Sequence, residues 1–122
     1  MVNNQRAINA LFAALADPTR RRILMRLREG ELTVSALASP FRISLPAISR
    51  HLRILEQARL IRRRRRGRLH LIRARRAGLE QVQRWLTHLA AGWRFSFDAL
   101  DKLLEEDQEK GGDHDRGSNK DQ

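Results

Sequence analysis

The sequence predicts a mainly α-helical domain carrying one small β-hairpin. Three observations predict it. Apolar residues recur at spacings of three and four along most of the chain, clearly at Ile48, Leu52 and Leu55 and again from Leu79 to Leu104. Pro18, Pro40 and Pro46 stand where such periodic stretches begin or end. Only around Gly67 does the apolar period fall to two, as a strand pair requires. With 122 residues the chain supports one domain with a core of modest size, and a second subunit is a common source of further burial.

Residues 4–16 place Ile8, Leu11, Phe12 and Leu15 on one face of a short helix. Asp17-Pro18 marks a new start, with Asp17 as N-cap, Pro18 in the first turn, and Ile23, Leu24 and Leu27 inward up to Gly30. Thr19, Arg20 and Arg21 lie near that helix start, where they either hold a phosphate or simply belong to a capped end. Glu31-Leu32-Thr33 opens a third, short helix, with Thr33 as N-cap and Val34, Leu37 and Ala38 inward, and Pro40 stops it. Phe41-Arg42-Ile43 forms a turn, and Ser44 caps the helix over 44–58. Two short helices joined by a tight turn make a helix-turn-helix.

The helix over 44–58 buries Ile48, Leu52 and Leu55 and turns Pro46, Ala47, Ser49, Arg50 and Arg53 outward. Its outer face is small near the start and cationic further along. That composition suits a helix entering a DNA major groove, and equally an ordinary surface helix with a solvated arginine face. The neighbouring arginines favour the groove. Between Gln57 and Leu79 there are ten arginines and no acid, yet apolar residues flank them and a turn at Arg66-Gly67 interrupts them. This is an ordered hairpin rather than a loose basic arm. The last element, over 76–107, carries Leu79, Val82, Leu86, Leu89, Trp93, Phe97, Leu100 and Leu104 at helical spacing, widened by Trp85, Phe95 and Leu103. That is more apolar face than a small domain covers alone, so part of it is expected to meet a second subunit.

Net charge is +11, unevenly spread. Residues 1–97 hold 21 Lys/Arg against 5 Asp/Glu, and residues 98–122 hold 4 against 9. A basic body with an acidic end predicts a polyanion partner and a solubilising tail, disordered over 108–122, after a domain spanning 1–107. There is no cysteine, which excludes disulfides, thiolate metal sites and a cysteine nucleophile. No Gly-rich phosphate loop and no clustered His/Asp/Glu set marks the expected ordered region, so an enzyme is not expected. No apolar run is long enough for a bilayer, and the polar start is unlike a signal peptide, which predicts a cytoplasmic protein associated with the nucleoid.

With these elements in order, the chain resembles an ArsR-type winged helix-turn-helix repressor across about residues 5–105. The resemblance is carried by Asp17-Pro18-Thr19-Arg20-Arg21-Arg22-Ile23-Leu24, by Ser44 through Leu55, and by Leu60-Ile61 followed by the Arg-Gly-Arg hairpin tip. It implies four helices, a two-stranded wing and a terminal helix. It also implies a homodimer through the first and last helices, and repression by occupying a palindromic operator, often the protein's own promoter. Trp85, Trp93 and Phe97 are similar to a subgroup lacking the arsenic site. Family metal sensors place cysteines at positions matched here by Thr33 and Ser35. They place a histidine pair eleven residues apart on the last helix, where His88 is answered by Ala99. No metal or cofactor is therefore expected, and any effector is unknown. Arg59 stands where the family commonly has glycine, and a left-handed helix end there would cost about 1 kcal/mol.

The expected DNA contacts are Ser44, Pro46, Ala47, Ser49, Arg50, His51 and Arg53 on the helix and Arg62, Arg64, Arg65, Arg66 and Arg68 on the wing. Arg50 is the candidate for guanine, and Arg53 serves a phosphate or a base. His51 packs or bonds a phosphate rather than reading a base. Arg62 and Arg64 face DNA or stay solvated. The expected dimer contacts are Ile8, Leu11, Phe12, Leu15, Leu86, Leu89, Trp93, Phe97, Leu100 and Leu104. The two tryptophans are read as core or dimer seam in preference to an effector pocket, and Asp113-His114-Asp115 as solvated sequence in preference to a metal site. The expected partners are double-stranded DNA and a second copy of the chain, with no membrane. The alternative is a sequence-tolerant nucleic-acid-binding or architectural protein.

Overall fold

The computed structural model describes residues 2–111. Met1, residues 112–122, with Asp113-His114-Asp115, and the side chains of residues 2–4, Phe95 and 109–110 lie outside the described residues. In chain order the elements are α1 (Val2–Leu15), α2 (Pro18–Arg26) with a 3-10 turn Leu27–Glu29, β1 (Leu32–Thr33), α3 (Val34–Ala38), α4 (Leu45–Gln57), β2 (Ile61–Arg66), β3 (Leu69–Ala74) and α5 (Arg76–Gly111). The chain divides after Arg84 into two compact units. The first holds everything up to the opening turns of α5, and the second is the rest of that helix.

Local chemistry accounts for the helix starts. The Asp17 carboxylate accepts the Arg20 amide at 3.0 Å, with Pro18 in the first turn of α2. Thr33 Oγ1 accepts the Ala36 amide at 3.1 Å and Ser44 Oγ the Ala47 amide at 3.2 Å. Each cap satisfies a donor that no turn of its own helix can satisfy. Helix α4 ends in two reversing hydrogen bonds, Leu60 N–H to Leu55 O at 2.9 Å and Arg59 N–H to Glu56 O at 3.0 Å. This is a Schellman ending, and Arg59 takes its left-handed position at φ 64°. The expected strained arginine is there. Gly78, in the first turn of α5, passes so close to this turn that a Cβ on it would lie 2.5 Å from the Arg59 carbonyl oxygen.

The core of the first unit is a single cluster. Ile23, Leu37, Ile48, Leu52, Leu55, Leu60, Ile61 and Ile72 are essentially sealed from solvent, joined by Leu11, Ala14, Leu27 and Val82. Truncating one of the sealed leucines to alanine costs about 2–5 kcal/mol by removing apolar contact and leaving a void.

Four expectations change. The sheet has three antiparallel strands in the order β1-β3-β2, because Leu32 and Thr33 pair with Ile72 and Leu71 before Thr33 turns to cap α3. The hairpin turns at Gly67-Arg68, one residue later than the sequence suggests, since Arg66 still pairs with Leu69. Gly67 has φ 62° and Arg68 has no positive φ, the pattern of a type II′ turn with glycine first. Helix α5 continues past residue 107 to Gly111. Leu11, expected at a dimer contact, is 2% exposed inside its own domain's core and leaves no surface for a partner. Ile8, Phe12 and Leu15 are half-buried against that same core.

Candidate nucleic-acid interface

The α3–α4 pair and the β2–β3 hairpin build the candidate interface. Helix α4 is held by Ile48, Leu52 and Leu55, and its opposite side shows Pro46, Ser49, Arg50 and Arg53 exposed, with Ser44 exposed at the cap and Ala47 half-buried. Among the described residues, no hydrogen bond or ion pair engages Arg50 or Arg53. His51 is different. Its side chain is 18% exposed, and Nδ1 lies 3.2 Å from Arg20 Nη1 and 3.9 Å from Asp17 Oδ2. A guanidinium only donates, so Nδ1 accepts and the ring proton sits on Nε2. The packing role expected of His51 is thus a link from α4 to the start of α2.

Arg20 also donates from Nε to Ala14 O at 2.7 Å and from Nη2 to Ala13 O at 3.1 Å, and Arg21 donates to Leu15 O at 2.7 Å. These are the orphan carbonyls at the end of α1, where positive charge is favoured. Arg20 and Arg21 thus close the end of α1, the structural one of the two uses that the sequence leaves open. Arg22 lies 4.8 Å from the centre of the Phe41 ring, a cation–π contact on the turn between α3 and α4. Arg26 donates to Ala36 O in α3 at 2.9 Å. The Arg20 amide bonded to its carboxylate, with the guanidinium alongside, holds the Asp17 carboxyl below the usual carboxylate range.

On the hairpin, register sorts the arginines. Arg63 pairs with buried Ile72, on the face toward α4, and reaches Glu56 at 3.6 Å. Arg62 and Arg64 lie on the other face with Arg73 and Leu71 opposite them. Arg64 is not a free wing cation: it donates to both oxygens of Glu31, at 2.8 and 2.9 Å. That bidentate bond holds the Glu31 carboxyl below its usual range, with the charges of Arg73 and Arg66 acting in the same direction. Arg62 and Arg73 are direct partners, a like-charge pair that Glu31 helps to tolerate. Among the described residues, the side chains of Arg62, Arg65, Arg66 and Arg68 make no hydrogen bond or ion pair, and all four residues are exposed.

In the second unit, Leu86, Leu89, Trp93, Phe97, Leu100 and Leu104 are each 41–56% exposed along one face of α5, with the Trp93 and Phe97 rings 5.5 Å apart. A shallow recess there is lined by His88, Leu89, Gly92, Trp93 and Ser96. Among the described residues, no three His, Asp or Glu side chains gather as a metal site. No described helix is long and apolar enough to cross a membrane.

This arrangement matches known proteins. Residues 17–63 match the model of the bacterial regulatory protein, arsR family. The transcriptional repressor SdpR of Bacillus subtilis is 48% identical over 60 residues, which are 49% of this chain and 67% of SdpR. The chain belongs to the arsR family. The HTH-type transcriptional regulator Rv2034 of Mycobacterium tuberculosis is 43% identical over 60 residues, and the match spans only 56% of its length. An ArsR-like transcriptional regulator from Rhodococcus sp. RHA1 superposes with a TM-score of 0.72 at 31% identity, covering 83% of this chain and 95% of that one. The family is one of DNA-binding transcriptional regulators and not of enzymes, so the helix-turn-helix and the wing are parts of a DNA-binding regulator.

Sequence reasoning missed four features of this interface. It did not find the structural use of Arg20 and Arg26, the Glu31–Arg64 bond, or the exposure of Ile43 and Leu45 at the start of α4. Only Leu45 carried a signal, and no reading was drawn from it. It stands three residues before Ile48 on the apolar spacing, yet it is 67% exposed.

Proposed function

We propose that the protein is a homodimeric repressor that reads a palindromic operator with α4 and grips its flanks with the wing. The observation that carries this reading is a pair of exposed basic features in one compact unit. A small-then-cationic helix face (Pro46, Ala47, Ser49, Arg50, Arg53) lies in a helix-turn-helix, and the wing adds four arginines without ion-pair partners. Arg50 is the reader of guanine, through the bidentate fork that matches its O6 and N7. Arg65, Arg66 and Arg68 serve the minor groove or phosphates at the wing tip, and Arg62 a phosphate nearer the base. Arg64 contributes by fixing the wing through Glu31. His51 donates from Nε2 to a phosphate.

The apolar face of α5 supports dimerisation: six large side chains half-exposed in a row are covered most simply by the same row from a second copy. SdpR is a transcriptional repressor, which supports repression as the outcome of binding. Such a protein works in the cytoplasm, at the nucleoid.

Selection from random duplexes tests the reading. The expected product is an inverted repeat with half-site centres about one helical turn apart, roughly 34 Å. Enrichment of no inverted repeat, with equal displacement by unrelated DNA or RNA, would favour a sequence-tolerant nucleic-acid binder, to which the wing's unpaired charge also lends itself.

A further inference from the structure

We propose that Leu45 and Ile43 read thymine methyl groups in the major groove, as specificity-determining residues of the operator contact. The proposal rests on the DNA-reading role of α4 and deepens it.

Helix α4 buries its apolar residues almost completely at Ile48, Leu52 and Leu55, each at most 1% exposed, and fails to bury Leu45, at 67%. Ile43, on the far side of the Ser44 cap, is 40% exposed. Leu45, Ser49 and Arg53 stand four residues apart and so form one ridge of the helix surface, beside the exposed Pro46 and Arg50. The leucine therefore neighbours Ser49 along this ridge, in the first turn, at the border between the buried stripe and the outward face.

The surroundings choose the occupant. Arg42, Arg50 and Arg53 are exposed on the same stretch of chain. The only acid on α4 is Glu56, near its other end and engaged by Arg63. An apolar knob on a cationic stretch fits a surface that is polyanionic overall and apolar in small places. The major groove is such a surface, and the C5-methyl of thymine is its apolar group. A protein partner is the rival occupant, and removing a single methyl from DNA distinguishes the two. Covering one methyl is worth about fourfold in affinity.

The test uses the full chain and the operator recovered by selection, with each thymine replaced singly by deoxyuridine, which removes only the methyl. The expected result is a thymine in each half-site whose replacement weakens binding about fourfold. Replacement in both half-sites weakens binding about fifteenfold, the two effects multiplying. Leu45→Ala or Ile43→Ala weakens binding to the thymine operator and loses the difference between thymine and uracil at its own position. Both side chains are exposed, so these variants keep the fold. The deoxyuridine series on the unaltered protein needs no variant at all. A specifically bound operator with no uracil-sensitive thymine overturns this proposal alone. So does a thymine preference that survives both substitutions, or a Leu45→Ala variant that binds as tightly as the unaltered protein. A selection that yields no operator overturns the DNA reading itself, which separates the two failures.

Discussion

Helix α2 and the wing are both arginine-rich, and they use the residue in opposite ways. On α2, Arg20 and Arg21 close the end of α1, Arg22 lies against Phe41, and Arg26 holds α3. Beyond the base of the hairpin, Arg65, Arg66 and Arg68 are held by no hydrogen bond or ion pair among the described residues, and the two arginines that are engaged, Arg63 and Arg64, each have a glutamate. The difference is one of available acceptors. Near α2 there are helix-end carbonyls to satisfy. Along the hairpin no helix end offers such carbonyls, so a guanidinium without a carboxylate stays in solvent. On the proposed reading, basic charge marks a DNA contact where the fold offers it nothing else.

Substitutions on the two elements should separate these uses. The largest effect is expected for Arg65→Ala, Arg66→Ala and Arg68→Ala combined. It weakens operator binding by roughly a hundredfold at moderate salt while leaving the melting temperature nearly unchanged, as titration and calorimetry check. Arg20→Ala reverses that pattern. It leaves the Ala13 and Ala14 carbonyls and His51 without their donor, and unfolding measurements should show a loss of roughly 2–3 kcal/mol. Arg50→Ala comes next, with roughly 1–3 kcal/mol less discrimination at one guanine and little change at other positions, seen by binding to single-base operator variants.

The smallest effect concerns acid stability. The Asp17 carboxyl is lowered in the folded protein, so its contribution is present at neutral pH, above the unfolded value. It is lost as pH falls through the folded value. Asp17→Asn keeps a capping oxygen and no longer titrates. Its stability should fall less steeply below pH about 4 than that of the unaltered protein, as denaturation followed across pH checks.

What was legible in the sequence was local. Asp17, Thr33 and Ser44 announce their caps because a cap needs an acceptor within three residues of its donor. The stripe at Ile48, Leu52 and Leu55 announces burial through helical spacing. Arg20 to His51 and Glu31 to Arg64 span 31 and 33 residues, and no spacing rule joins them. Strand β1 is two residues long, too short for any alternation to register. Gly78 had no pattern of its own, since its reason is the Arg59 carbonyl on another element. Leu45 was assigned to no face, since spacing says which way a side chain turns and not what stands opposite it.

The most direct measurement is the salt dependence of operator binding for two matched double variants, each shown to be folded. Arg65→Ala/Arg66→Ala and Arg21→Ala/Arg26→Ala both remove two positive charges. If only the wing arginines meet phosphate, the wing pair lowers the slope of log affinity against log salt by about 1.8, and the α2 pair leaves it unchanged. Equal falls in the two variants would contradict that division of roles.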